Sequence, residues 1–450
     1  MPPAGWVSLG KGLDRQYANP LRPPGNTPLG GLQSPLQADS GILRTCHGKI
    51  LRLNKVDFPK PTLGILRHHL STAFSTVSAP LVVFSHLRWD FVYQRPQHLL
   101  SRLAKNRPVL VIEEPIRDEH GPPRWERSEP AENVTVLRPH TPAGRWGFND
   151  EQAPYLEPLV DALADEEDLR GATVWLYTPM ALDLARRLEP ASLVYDRMDA
   201  LAQFAHAPQE MTRNEGRLLE EADVVFTGGP SLYRGVEGRN PNLHCFPSSV
   251  DAAHFGSAKG VDDGTLVEPA DQADLPHPRL GYFGVVDERM DLPAVRALAE
   301  AHPAWQIVMV GPVVKIDPAS LPQAPNLHWL GQKPYEELPA YLGGWDVALL
   351  PFARNESTEF ISPTKTLEYF AAEVPTVSTP ITDVAEPYGE IVYLGDTPEA
   401  FVAACEAALE ADDAERARRT AMMRRVLAQT SWDRTADAME ALLPEPEPAT

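Results

Sequence analysis

The sequence predicts an α/β protein of two doubly wound domains facing a central cleft, and three observations carry that expectation. Short continuous apolar runs alternate with amphipathic stretches, the pattern of parallel strands covered by helices on both faces. The alternation runs through two rounds, separated by a segment rich in Gly, Asp and Pro. The chain of 450 residues exceeds what one hydrophobic core ordinarily organises.

Residues 1–79 hold no sustained apolar periodicity and are rich in Pro, Gly and Ser ("NPLRPPGNTPLGGLQSPLQ"), so a poorly ordered extension is expected there. The first domain, 80–255, opens with strands "PLVVFSH" (80–86) and "PVLVIEE" (108–114), with a helix from Pro96 to Lys105 between them. "ATVWLYTP" (172–179), "SLVYDRMD" (192–199) and "ADVVFTGG" (222–229) continue the alternation, with helices over Leu182 to Leu188 and Met211 to Leu219. Residues 256–278 read as a linker. The second domain, 279–415, carries "RLGYFGVV" (279–286), "WQIVMVGP" (305–312), "NLHWLG" (326–331), "WDVALLPF" (345–352), "PTVSTP" (375–380) and "IVYLG" (391–395). A helical C-terminal segment and tail, 416–450, end the chain.

A formal net charge of −21 and the lack of long Lys/Arg runs argue against a nucleic-acid partner. Cys46, Cys245 and Cys405 are scattered, without redox or metal spacing, which fits a reducing cytosol. No stretch approaches the roughly 18 apolar residues of a membrane span, and the N-terminus lacks the pattern of a secretory signal. The expected location is cytoplasmic, with weak contact at the inner membrane face left open.

Open parallel sheets bind ligands beyond the C-terminal ends of their strands, so chemistry is sought in the loops that follow them. In "FISPTKTLEYFAAEVPTVSTPI" (360–381), Ser362 reads as an N-cap, Pro363 suits the first helical position, and Thr364 and Lys365 fill the first turn. Unpaired N–H groups and the positive dipole end make such an entrance an anion site. The plain alternative is an exposed Lys beside an ordinary cap. Glu368 lies one turn along the same face, placed to accept hydrogen bonds from a ribose diol or simply to pair with Lys365.

Here the segment becomes recognisable. "PTKTLEYFAAEVPTVST", preceded by "NLHWLGQKPYEELPAYLGGWDVALLPF", resembles the C-terminal domain of retaining nucleotide-sugar glycosyltransferases of the GT-B fold, the large group often called family 4 or glycosyl transferases group 1. "VVFSHLRWDFVYQRPQHLLSRLA" is similar to the first strand, loop and helix of a bacterial branch, and "SWDRTADAMEALL" (431–443) to the late helix that crosses back. The resemblance covers roughly residues 80–443. It implies two Rossmann-like domains and a donor site at Ser362, Pro363, Thr364, Lys365 and Glu368. It also places Gly284 and Arg289 of the loop "GVVDERMD" (284–291) at the diphosphate, the plain alternative being a solvated loop arginine among Asp287, Glu288 and Asp291, with Lys315 a second basic choice, and Gly331 at the base. The family pairs two glutamates here; Glu368 matches the second, but the first falls at Phe360, with Glu359 and Glu356 nearby. Glu373 stands where a small residue usually ends the helix.

On the first domain, "HLRWDFVYQRPQH" puts Arg88, Trp89, Gln94, Arg95 and His98 at a strand exit, an expected acceptor pocket. Asp196, Arg197 and Asp199 end another strand, as catalytic groups or helix caps. His86 reads as a packed strand residue. The expected reaction moves a sugar from a nucleoside diphosphate donor to a hydroxyl of a glycan, lipid or small-molecule acceptor, with Lys365, Arg289 and Asp199 as the catalytic set. By resemblance it retains configuration. No metal site and no cofactor beyond the nucleotide-sugar co-substrate are expected, and cell-surface polysaccharide or glycoconjugate synthesis is the expected setting. A catalytically silent nucleotide-sugar binding module and a GT-B-like sugar-nucleotide epimerase are the competing readings.

Overall fold

A computed structural model describes residues 79–204 and 207–444. The expected extension therefore lies, apart from its last residue, outside the described residues.

Two sheets form, as the apolar runs require. The first lobe holds β1 (Leu81–Ser85), β2 (Val109–Glu113), β3 (Ile116–Arg117), β4 (Arg124–Ala131), β5 (Val134–Thr141), β6 (Thr173–Leu176), β7 (Ser192–Arg197), β8 (Val224–Thr227) and β9 (Leu243–Cys245). They pair in the order β3-β5-β2-β1-β6-β7-β8-β9, with β4 antiparallel to β5. The second lobe holds β10 (Arg279–Phe283), β11 (Gln306–Val310), β12 (Leu327–Gly331), β13 (Val347–Leu350), β14 (Thr376–Ser378) and β15 (Tyr393–Leu394), ordered β12-β11-β10-β13-β14-β15 and parallel throughout. β1, β2, β10 and β11 are buried along their whole length because helices cover both faces. In register, Ser85 lies opposite Glu113, which brings the exits of β1 and β2 side by side.

The segment expected as a linker, 256–278, is folded instead. Short helical turns occupy Ala252–Gly256, Ser257–Lys259, Gly260–Asp263 and Ala270–Ala273. Phe255 and Ala258 join the second core, and buried Gln272 accepts from Trp345 Nε1 at 2.7 Å while donating to the Tyr341 carbonyl at 2.9 Å. Polar side chains that look like linker chemistry are thus hydrogen-bonding partners of the second lobe.

At the other end, helix Asp413–Leu427 stays with the second lobe through Met423, and only helix Trp432–Glu440 returns to the first. There Trp432, Ala436 and Met439 join the core containing Leu99, Leu100 and Leu103 of helix Arg95–Leu103. Arg102 donates to Asp433 at 2.8 Å and Asn106 to Glu440 at 2.7 Å. The backbone crosses between lobes at two places, between Phe246 and Val250 and between Leu427 and Trp432. Asp383 of the second lobe adds a polar contact, accepting from the Ser231 N–H of the first at 3.0 Å.

Candidate active site

The second-lobe wall of the cleft is built at the exit of β10. Gly284 follows Phe283 with φ +139°, and a Cβ there would overlap Lys365 Cε and lie 2.7 Å from its Nζ. Only glycine leaves room for the lysine to cross this strand end. Lys365 is the first residue of helix Lys365–Ala371, and its Nζ stands 5.9 Å from the Tyr282 ring centroid. Burial draws its ammonium below the ordinary lysine range, against the attraction of Glu368. Half-buried Glu368 has its carboxyl pushed up to about 7 by burial, opposed by Lys365 and by a hydrogen bond from Thr364.

The helix entrance differs in detail from the sequence expectation. Ser362 is not its N-cap; Thr364 is, with helical backbone and no side-chain cap to the helix N–H groups. Ser362 packs instead against Gly229 of the first lobe, where a Cβ would come 2.6 Å from the serine Cβ. Pro363 and Thr364 lead into the first turn, their carbonyls accepting from Thr366 at 3.3 Å and Leu367 at 3.0 Å. At the far end Glu373 takes the left-handed backbone (φ +62°) that glycine usually supplies. Arg424 Nε and Nη2 hold its carboxylate at 2.9 and 2.8 Å.

Arg289 is clamped by Asp287: Nε reaches both carboxylate oxygens at 3.0 and 3.1 Å and Nη2 donates at 2.7 Å. Its Cζ lies 5.5 Å from the ring centroid of Phe204, a first-lobe residue. Lys315 Nζ lies 4.7 Å from the same ring, presented from a left-handed backbone (φ +63°) after β11. Asp199 completes the group from the exit of β7; burial raises its pKa, and Arg289 and Lys315 pull it back. The three expected catalytic residues, Lys365, Arg289 and Asp199, therefore come within electrostatic reach of one another, joined by Asp287 and Glu368. Gly331 ends β12 with φ +71°, its carbonyl accepting from Gly311 at 2.8 Å. Glu356 and Glu359, the alternatives to the missing first glutamate, are both exposed.

The expected acceptor residues are placed differently. Arg95 is 1% exposed and forms a forked pair with Asp196 at 2.9–3.1 Å, its Nη1 donating to the Phe246 carbonyl at 2.8 Å. His98 is 4% exposed and stacked on Trp432, with centroids 4.7 Å apart and planes at 9°. Burial, with Arg102 and His254 adding to it, drops its pKa to about 3, so the ring is neutral. Gln94 serves in a capping box with Gln97. Arg88 donates to the fully buried Glu113 at 3.0 Å, and Trp89 uses its backbone N–H on the same carboxylate at 2.7 Å. Arg95 and His98 are thus corrected from acceptor contacts to packing and ion-pair residues, and Gln94 to a helix cap. Arg88 and Trp89 brace the loop.

The sequence reading passed over Glu114 and took His86 for a packed strand residue. His86 is not packed in the strand but sits half-buried at the exit of β1, with its Nδ1 buried and its ring against the Tyr177 backbone. Burial and then Lys315 lower its pKa to about 4. Glu114, at the exit of β2, is pushed up to about 7 by burial, against Arg88 and Lys315. Their position directly after two apolar strands was the available signal. Among the described residues no group of three or more His, Cys, Asp or Glu is arranged to hold a metal ion, and no helix is long and apolar enough to cross a membrane.

Two sheets, one parallel and one parallel but for β4, with a charged cleft between their strand exits define a class. Residues 278–411 match the model of the family described as glycosyl transferases group 1, and the chain is a glycosyltransferase of the GT-B fold. Among its relatives is TuaH of Bacillus subtilis (strain 168), provisionally named a teichuronic acid biosynthesis glycosyltransferase, 24% identical over 308 residues, or 64% of this chain and 74% of that protein. Similar solved structures include sucrose-phosphate synthase of Thermosynechococcus elongatus (TM-score 0.61, 17% identity, 81% of this chain and 98% of that one). An E. coli trehalose-6-phosphate protein bound with UDP-2-fluoro glucose is another (TM-score 0.57, 15% identity, 81% and 98%).

Proposed function

We propose that this chain transfers a sugar from a nucleoside diphosphate donor to a hydroxyl acceptor, with retention of anomeric configuration and without a metal ion. The apposition of Lys365 on Gly284, beside Glu368 and facing Asp199, is the observation that carries this reading. As the bond between the anomeric carbon and the diphosphate oxygen breaks, negative charge grows on the leaving group. The Lys365 ammonium and the amides of the turn from Ser362 meet that charge, with Arg289 held at its edge by Asp287. The acceptor oxygen bonds to the anomeric carbon on the face being vacated, and its proton passes to the departing diphosphate. Glu368 accepts from the ribose diol, and Gly331 lines the base.

A UDP-sugar analogue in one fold relative supports a nucleoside diphosphate donor, and the name of the B. subtilis relative supports work on cell-surface polysaccharide. We place the protein in the cytoplasm, at the inner membrane face when its acceptor is lipid-linked. Thermal melting against a panel of UDP-, GDP- and ADP-sugars tests the donor class, since a ligand of the native state raises the midpoint by mass action. NMR of the product then gives the anomeric outcome. A panel with no stabilising member removes the donor site; binding with no transfer or hydrolysis favours the silent module; altered sugar released without acceptor favours the epimerase.

A further inference from the structure

The short helix Pro230–Arg234 of the first lobe meets the second lobe across a seam beside the donor turn. Gly229 before it has extended backbone (φ −173°) and Gly235 after it helical backbone (φ −65°), conformations open to any residue, so space is what glycine supplies at both. A Cβ at Gly229 would overlap Asp383 Oδ2 and lie 2.6 Å from Ser362 Cβ. A Cβ at Gly235 would lie 3.1 Å from Phe360 Cε1. Between the two glycines the Ser231 N–H donates to Oδ1 of the buried Asp383 at 3.0 Å. Arg234 and Glu386, the charged groups that act on this carboxylate, pair with each other at 3.0 Å across the same seam. Phe360 stands where the first glutamate of the family pair falls, yet its ring is spent on the first lobe.

We propose that Asp383 and Phe360 are positioning residues that fix the turn Ser362–Lys365 against the first lobe, Phe360 serving this seam in place of a donor contact. This deepens the glycosyl-transfer reading above and rests on it. The groups assigned to the nucleotide, Lys365, Glu368 and Gly331, all belong to the second lobe, whereas Asp199 comes from the first. Their register depends on contacts between the lobes, and this seam holds the turn itself through Ser362. A displacement of ~1 Å between reacting groups costs roughly 100-fold in rate without altering any of them. The Arg234–Glu386 pair is exposed on both sides and adds little. The buried hydrogen bond to a carboxylate and the two filled glycine sites carry the seam. Further contacts across the cleft, Gln332 Nε2 on the Phe91 carbonyl at 2.5 Å and Lys315 at Phe204, leave the lobes joined when it is cut.

The test uses the full chain with UDP-, GDP- and ADP-glucose. Calorimetry gives the affinity for UDP, GDP and ADP, nucleotide release with and without methyl glucosides gives donor turnover, and amide exchange over residues 229–235 reads the seam. Gly229→Ala and Asp383→Leu should each lower turnover at saturating donor by at least ~10-fold, with nucleotide affinity within ~2-fold of wild type. Exchange of the Ser231 amide should speed by at least ~10-fold in Asp383→Leu, the loss of a hydrogen bond to a charged group; Asp383→Asn keeps an acceptor oxygen and should recover most of both effects. Phe360→Glu should lower turnover and leave donor affinity within ~2-fold of wild type. Melting temperatures verify folding, and Gly229→Ala, on the other lobe, carries the test if Asp383→Leu does not fold. Wild-type turnover in Gly229→Ala or Asp383→Leu overturns the proposal, as does nucleotide affinity that falls in step with turnover, because Asp383 then belongs to the donor site. Tighter donor binding or faster turnover in Phe360→Glu overturns it as well. Wild type that binds no nucleotide, or releases none from a donor, counts against the glycosyl-transfer reading instead; unchanged amide exchange in Asp383→Leu then overturns the seam by itself.

Discussion

Replacing Glu368 with glutamine separates two consequences of one carboxyl. Its pKa rises from 4.5 for the free side chain to about 7 in the fold, chiefly through burial, so the ionised form costs the native state on the order of 3 kcal/mol. A raised folded value means that the native state keeps a proton the unfolded chain has released. The stabilising difference is complete below about pH 4.5, declines as pH rises, and is gone above about pH 7. Glutamine stays neutral throughout. Glu368→Gln should therefore match wild type near pH ~4.5 and exceed it by about 2 kcal/mol near pH ~8, after discounting for the solvent that reaches a half-buried group. Urea melts followed by tryptophan fluorescence at both pH values measure this. Donor affinity should move the other way, falling about tenfold with the loss of a charged acceptor for the ribose diol. It should also lack the weakening expected of wild type below about pH 7, where a proton must first be displaced. A glutamine variant less stable than wild type at the higher pH, or one that keeps wild-type donor affinity and pH profile, would refute the reasoning.

Other perturbations probe the remaining parts. Lys365→Met should lower turnover roughly 100-fold with a smaller change in donor affinity, since its charge is needed most as the diphosphate departs; pre-steady-state product release measures the split. Gly284→Ala places a methyl group on Lys365 and strains a φ of +139°, and should reduce transfer by about tenfold or more while leaving the second-lobe core folded by circular dichroism. Trp432→Ala removes a buried ring stacked on His98 and should cost about 3–5 kcal/mol, seen as a lowered melting temperature and faster proteolysis after residue 427.

The strands legible in the sequence were those written as short continuous apolar runs, buried on both faces in "PLVVFSH" and "WQIVMVGP" and only partly buried in "NLHWLG". β4 was not, because "RWERSEPA" is almost wholly exposed and its pairing with β5 depends on backbone groups that composition does not reveal. The grouping of Lys365 and Glu368 was legible because they are close in sequence on one helix turn. The surroundings of Arg95 and His98 were not. Arg95 and His98 are one turn apart on a helix face, and the local pattern cannot tell whether that face meets solvent or, as here, Asp196 and a tryptophan more than three hundred residues later. Ser362 was misread as a cap for a similar reason: Pro363 and Thr364 allow the helix to start at either of two places, and contact with Gly229 from the other lobe accompanies the later start.

The two covalent passes between the lobes, one near residue 248 and one near residue 429, act like the paired pins of a door. A single connector would let the halves swivel in any direction; a pair of them leaves swinging about the line that joins them as the easy motion and resists twist or sliding. Opening to admit a donor and shutting on an acceptor would then retrace one arc, bringing Lys315 back to the same few ångströms of Phe204 on each cycle without any sensor to align them.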